Sequence, residues 1–229
     1  MIIIYFIVIA LGFVLPFISC VIHNKRNKIL SLEKLFYSYI FFIIGFIFFS
    51  KIFYIFLEFD FDKLNIISNF NFIEFLKFIL SGYSFIGGYL GGIFSVYLFS
   101  KLINERENTL ISIYTHSLLL MYGVLKIGCF IIGCCEGKYE IPIQLIESIV
   151  SLTTYCLINI NLKKYETKKK LLGISLFSFG MIRFLLSFFR IYSSNFCFII
   201  VQLICLIFII YGIKNYYLNK IIIFDGDKQ

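Results

Sequence analysis

Five ionisable residues fall inside stretches of sequence that are otherwise apolar: Lys51, Lys126, Glu147, Arg183 and Arg190. A charge in hydrocarbon is costly, so such residues pair with one another, line a wet cavity or hold a charged ligand. Lys126 repeats at helical spacing with Tyr122, Cys129 and Gly133, which puts all of them on one face. Glu147 shares a face with Gln144, Ser151 and Thr154 in the same way, and Arg183 shares one with Phe179, Ser187 and Arg190. Four cations against one carboxylate leave an excess of three positive charges. Scattered structural ion pairs would balance. The excess therefore points to an anion as the missing partner, with a lipid phosphate the natural candidate, because Arg and Lys give charge-assisted hydrogen bonds to phosphate oxygens. For Lys51 and Arg190 the plainer alternative is snorkelling to the headgroups.

The elements that position these charges are read from hydropathy. The chain has 229 residues, 60% of them hydrophobic, and a mean hydropathy of +0.94. Seven apolar runs approach or exceed the roughly 20 residues that cross a bilayer. They cover about 2–22, 36–57, 83–101, 109–134, 144–162, 171–190 and 195–214. The expectation is one all-α polytopic integral-membrane domain over residues 1–229, with seven transmembrane helices. The first run has no basic segment before it and is too long for a signal-peptide core, so it reads as a span. Residues 71–80 are amphipathic and suit the interface.

Loop charge sets the orientation. The connections 23–35, 102–108 and 163–170 with the tail, counting Lys101 and Lys214 at their boundaries, hold fourteen Lys and Arg. The opposite set holds only Lys63, Lys77 and Lys138. By the positive-inside rule the N-terminus is outside and the C-terminus cytoplasmic. All five buried charges then share the outer half of the membrane. The net charge of +8 belongs to these loops and argues against a nucleic-acid partner.

Other features have milder readings. Gly87/Gly91 and Gly88/Gly92 are small-residue pairs that suit close helix packing, or that would let a lipid headgroup approach backbone N–H groups at a helix end. His116 reads as a hydrogen-bonded structural residue, and His23 as a solvated loop residue. The seven cysteines read as small buried hydrophobes rather than a disulfide framework. Cys129, Cys134 and Cys135 lack the second ligand pair of a structural zinc site, so neither a metal nor a cofactor is expected.

These residues, taken in order, resemble the bacterial prolipoprotein diacylglyceryl transferase family. Ser84-Phe85-Ile86-Gly87-Gly88 is similar to its Ser-Phe-His-Gly-Gly segment. Leu125-Lys126-Ile127-Gly128-Cys129-Phe130 resembles its Gly-Arg-x-Gly-Asn-Phe signature, of which some relatives carry a Gly-Cys-Phe…Gly-Cys-Cys form. Pro142-Ile143-Gln144-Leu145-Ile146-Glu147 resembles Pro-x-Gln-Leu-Tyr-Glu, and Phe179-Gly180-x-x-Arg183 to Arg190 resembles Tyr-Gly-x-x-Arg-x-x-x-Glu-x-x-Arg. Ser50-Lys51 to Tyr54 and Tyr5 fall where the family places an Ala-Arg-x-x-Tyr and a first-span Tyr. Ile86, Lys126, Cys129, Phe179 and Ser187 stand where the family has His, Arg, Asn, Tyr and Glu.

The resemblance implies a reaction at the outer leaflet of the bacterial plasma membrane. The diacylglyceryl group of phosphatidylglycerol passes to the thiol of a lipobox cysteine in a prolipoprotein signal peptide, and glycerol phosphate leaves. It implies Arg183, Lys126 and Glu147 as catalytic groups, with Gly87, Gly88, Gln144, Arg190, Lys51, Cys129 and Tyr5 binding substrate. Glu147, an unidentified group, or the positive field acting on the thiol would deal with its proton. Two other readings stand beside it: a catalytically degenerate homologue that binds lipid or lipoprotein precursor, motivated by Ile86, and a small transporter. No inverted repeat or broken helix pair favours the last.

Overall fold

The computed structural model describes residues 2–27, 30–58, 82–105, 107–161 and 168–226. The amphipathic stretch 71–80 lies outside them. Among the described residues the chain forms α1 (Ile2–Asn27), α2 (Leu32–Glu58), α3 (Phe85–Leu102), α4 (Glu107–Ile132), α5 (Ile143–Ile160), α6 (Lys168–Ser187) and α7 (Asn195–Gly226). All seven are long and apolar enough to cross a membrane. Helices answer the hydrocarbon constraint because each satisfies its own backbone hydrogen bonds. The chain is thus a multi-pass all-α membrane protein, as composition implies.

α4 is the central column. Leu110, Ile113, Tyr114, Leu118, Leu119, Met121 and Tyr122 along it are buried, and α1, α3, α5 and α6 pack around it. α2 lies outside against α3, and α7 lies outside against α6. Large apolar side chains on α1, α2 and α7, such as Ile3, Phe6, Phe48 and Ile207, are exposed and present an apolar face suited to lipid.

Glycines set the tightest contacts. The Cβ positions of Gly87, Gly91 and Gly92 fall on Phe53, Phe49 and Phe42 in turn, which makes α3 antiparallel to α2. Gly173 and Gly180 meet Gly212 and Ile209 in the same manner between α6 and α7. Without a hydrophobic drive between helices in lipid, such close approach is what holds them together.

Three expectations change. The helix expected over 171–190 ends at Ser187, and Phe189 N–H and Arg190 N–H bond back to Leu186 and Ser187 in a tight turn. Arg190 therefore lies beyond the helix, in an antiparallel bridge with Gly137. His23 is not solvated: α1 runs on to Asn27, and His23 is buried with its ring 5.1 Å from that of His116. The cysteines are not uniformly buried, since Cys134 and Cys156 are exposed and Cys129 and Cys135 half-buried. His116 is, as expected, a buried structural residue, stacked on Tyr155 with Nδ1 3.4 Å from Ser175 Oγ.

Gly91→Leu should destabilise the α2–α3 pair. Its new side chain would meet Phe49 and, at 2.7 Å, the Gly45 carbonyl oxygen, and overpacking of this kind costs about 1–3 kcal/mol. Thermal unfolding in detergent, followed with a thiol-reactive dye, should show a lowered midpoint. Ile7→Leu on the exposed face of α1 should leave it unchanged.

Candidate functional site

Three helices deliver one buried charge cluster. Lys126 comes from the last two turns of α4, Glu147 from the second turn of α5 and Arg183 from the second-last turn of α6. All three side chains are at most 5% exposed. One Glu147 oxygen, Oε2, is in close ion pairing with Lys126 Nζ. The other, Oε1, accepts a hydrogen bond from Arg183 Nη1 at 2.7 Å. The same Nη1 donates to Tyr122 Oη at 3.0 Å. The Tyr122 ring lies 5.4 Å from Lys126 Nζ and 5.7 Å from the Arg183 guanidinium carbon, so its face serves both cations. Phe85 and Phe179 pack on that ring at 4.7 and 5.3 Å and complete an apolar floor.

A desolvated charge is tolerated only when paired and hydrogen-bonded. Glu147 is ion-paired through both oxygens and hydrogen-bonded through Oε1. The two cations share one carboxylate and leave the cluster with a net +1. Arg183 Nε has no acceptor among the described residues, and neither does Arg190 Nε.

Around this centre the structure gathers some of the expected residues. Arg190 Nη2 lies 3.0 Å from Cys135 Sγ, and its guanidinium sits over Tyr192 at 5.5 Å. Gln144 Nε2 donates to the Cys134 carbonyl at 2.7 Å, so it ties the end of α4 to the start of α5. Tyr5 of α1 packs across Gly128 of α4. The Cys129 sulfur sits with those of Cys134 and Cys135, all within 4.8 Å of one another. Outside the helices, hydrogen bonds from the Cys129 and Cys134 thiols, helped by Arg190, favour the thiolate at Cys135.

Other expected residues are placed elsewhere. Lys51, on α2, has Nζ 3.5 Å from the Gly82 carbonyl oxygen and close to the Tyr54 and Tyr83 rings. Gly87 and Gly88 turn toward Phe53 and Phe46 of α2, which gives their lack of a side chain a packing role. Ile86 is buried in an apolar cluster with Leu57, Cys197, Val201 and Cys205.

One polar residue was missed. Gln202 on α7 donates from Nε2 to Ser187 Oγ at 2.5 Å, and its Oε1 is buried without a partner among the described residues. A lone amide inside a span as apolar as α7 was the available signal.

The profile of the family described as prolipoprotein diacylglyceryl transferase matches residues 1–218. A Clostridium tetani (strain Massachusetts / E88) protein named phosphatidylglycerol–prolipoprotein diacylglyceryl transferase is 38% identical over 96 residues. That match covers 42% of this chain and 36% of the relative's length.

Glu147→Gln keeps the shape of the side chain and removes its charge, which leaves Lys126 and Arg183 buried together. Breaking a buried pair in this way costs about 3–5 kcal/mol, so the thermal midpoint in detergent should fall sharply. Adding Lys126→Met restores the native net charge of the cluster and should recover part of the loss. Additive effects of the two substitutions would refute the bridge.

Proposed function

The chain belongs to the prolipoprotein diacylglyceryl transferase family, and from that membership we propose that it transfers the diacylglyceryl group of phosphatidylglycerol to a prolipoprotein. The acceptor is the lipobox cysteine thiol of the signal peptide, at the outer leaflet of the bacterial plasma membrane. The printed name of the clostridial relative supports both substrates. One observation carries the reading: a buried cluster of net positive charge with two guanidinium donors, Arg183 Nε and Arg190 Nε, that have no acceptor among the described residues. A phosphate diester is the lipid group that such a cluster suits.

In the reaction the acceptor sulfur attacks the glyceryl carbon that bears the phosphate oxygen. A C–S bond forms, the C–O bond breaks, and the electron pair stays on the departing phosphate. Cations held on those oxygens stabilise the charge as it develops. In this reading Arg183 does this with Nε, which has no acceptor among the described residues, and Lys126 adds a point charge from the same cluster. Lys cannot offer the bidentate fork of Arg. Arg190, Lys51 and Tyr5 would meet the headgroup and the acceptor nearer the surface. Glu147 is engaged on both oxygens, so its part is to hold the two cations in register rather than to take the thiol proton. The positive field then favours the thiolate of the acceptor and its proton leaves to water. With Ile86 buried in an apolar cluster, no imidazole serves that step from residue 86.

Membranes containing the chain, given phosphatidylglycerol and a lipobox peptide, should form the diacylglyceryl thioether, detected by mass. Arg183→Ala should lower the rate per folded enzyme at least about a hundredfold, as loss of a transition-state donor does. Lys126→Arg should retain activity. No product beside a working control enzyme, or a fully active Arg183→Ala, would overturn the reading.

The orientation proposed here, N-terminus outside and C-terminus cytoplasmic, has its own test. Tyr139 is 88% exposed in the connection between α4 and α5. Tyr139→Cys should add a site for a membrane-impermeant maleimide in intact cells, and Lys25→Cys should add none until the membrane is opened. The reverse pattern would invert the topology.

A further inference from the structure

The proposed reaction uses none of Cys129, Cys134 and Cys135 as a reacting group, yet their sulfur atoms lie within 4.8 Å of one another. The backbone is bent to bring them there. Gly133 ends α4 in the left-handed region at φ 74°, as a glycine after a helix does. Cys134 N–H bonds back to the Cys129 carbonyl at 3.0 Å, and Cys135 itself sits at φ 62°, where a side chain is unfavourable. The loop is held from outside by groups other than the thiols. Gln144 Nε2 takes the Cys134 carbonyl, and Ile191 N–H takes the Glu136 carbonyl at 3.0 Å. Lys138 N–H takes that of Phe189 at 2.7 Å. All three thiols are free, with no disulfide among them.

We propose that Cys129, Cys134 and Cys135 form a three-sulfur site for one thiophilic d10 metal cation of the zinc class. Metal–sulfur bonds of about 2.3 Å place three sulfurs roughly 4 Å apart around one ion. The present spread reaches that arrangement with side-chain shifts below about 1 Å. Among the described residues no further His, Cys, Asp or Glu joins the group, and Cys134 is exposed and leaves the fourth position to water. Three thiolates around a divalent ion carry one surplus negative charge. Arg190 answers it, with Nη2 3.0 Å from Cys135 Sγ, in the outer-sphere position from which a hydrogen bond tunes a metal-bound sulfur. Binding makes all three sulfurs metal-bound thiolates, and every S–H proton still present is released to water. No electron changes hands. The ion would clip the end of α4 to its loop and, through Gln144 and Arg190, to the neighbouring ends of α5 and α6. This inference does not depend on the transferase reading.

The test uses the full chain in detergent, reduced with a phosphine, stripped by chelator and then titrated with Cd(II), whose thiolate bonds absorb in the ultraviolet. One equivalent should bind and raise the thermal midpoint, since a ligand for the folded state stabilises it. Cys129→Ser, Cys134→Ser and Cys135→Ser should each weaken binding by at least about tenfold, and Cys156→Ser should not. In the unmutated protein one equivalent of Zn(II) should shield these three cysteines from maleimide, a readout that needs no variant to fold. Folded, reduced protein that fails to bind stoichiometrically would overturn the proposal. So would binding indifferent to the three substitutions, or a disulfide joining two of these cysteines in protein isolated without reductant.

Discussion

A single carboxylate in the membrane interior holds the structure's charged end together. Glu147 is fully buried, and each of its oxygens engages a cation from a different helix. In hydrocarbon, separating either pair would leave a charge that nothing nearby could solvate. Lys126 on α4 and Arg183 on α6 are thereby fixed against α5 with a precision that apolar packing alone does not enforce. The arrangement also sets a sign. Two cations on one anion leave a positive charge that no further carboxylate among the described residues pairs with.

The polar groups at the other end of the bundle obey a different rule. There, Ser19, Cys20, Ser117 and Tyr155 exchange neutral hydrogen bonds, Asn24 clamps both backbone groups of Leu30, and His23 meets His116. Ser38 and Tyr114 pair in the same neighbourhood of α2 and α4. Neutral networks of this kind join α1, α2, α4 and α5 without any net charge. The contrast gives the bundle one end held by neutral hydrogen-bonded pairs and one end where two cations share one carboxylate.

Much of this was legible in the sequence because hydrocarbon makes its demands locally. Seven apolar runs give seven helices, and the rule that a charge inside a span has a reason finds Lys126, Glu147 and Arg183 with no alignment. What was illegible depended on where the backbone leaves the helix. Arg190 continues the spacing of Arg183 and Ser187, and only the tight turn after Ser187 takes it off the helix and onto Cys135. The three cysteines look like packing when counted along a line. They converge because Gly133 and Cys135 adopt positive φ, which no spacing announces. His23 was misjudged for a related reason: α1 outlasts its apolar run by a turn, carrying His23 and Asn24 into the bundle.

The substitutions at the site can be read together on the proposed reaction. Lys126 stands where the resemblance expects Arg and supplies charge without a fork. Ile86 stands where it expects His and packs among apolar neighbours. Each change removes a directional group and leaves the electrostatics in place. A reaction whose difficulty is departure of a phosphate needs field strength first, because charge appears on several equivalent oxygens and no one hydrogen-bond direction decides the outcome. A thiol is the acceptor that least needs a dedicated base, since its ordinary pKa of about 8.5 lies within reach of a positive field. On the proposed reaction the chain can therefore lose directional groups around this chemistry but not Arg183, the guanidinium that combines burial, a bond to Glu147 and a donor with no acceptor among the described residues.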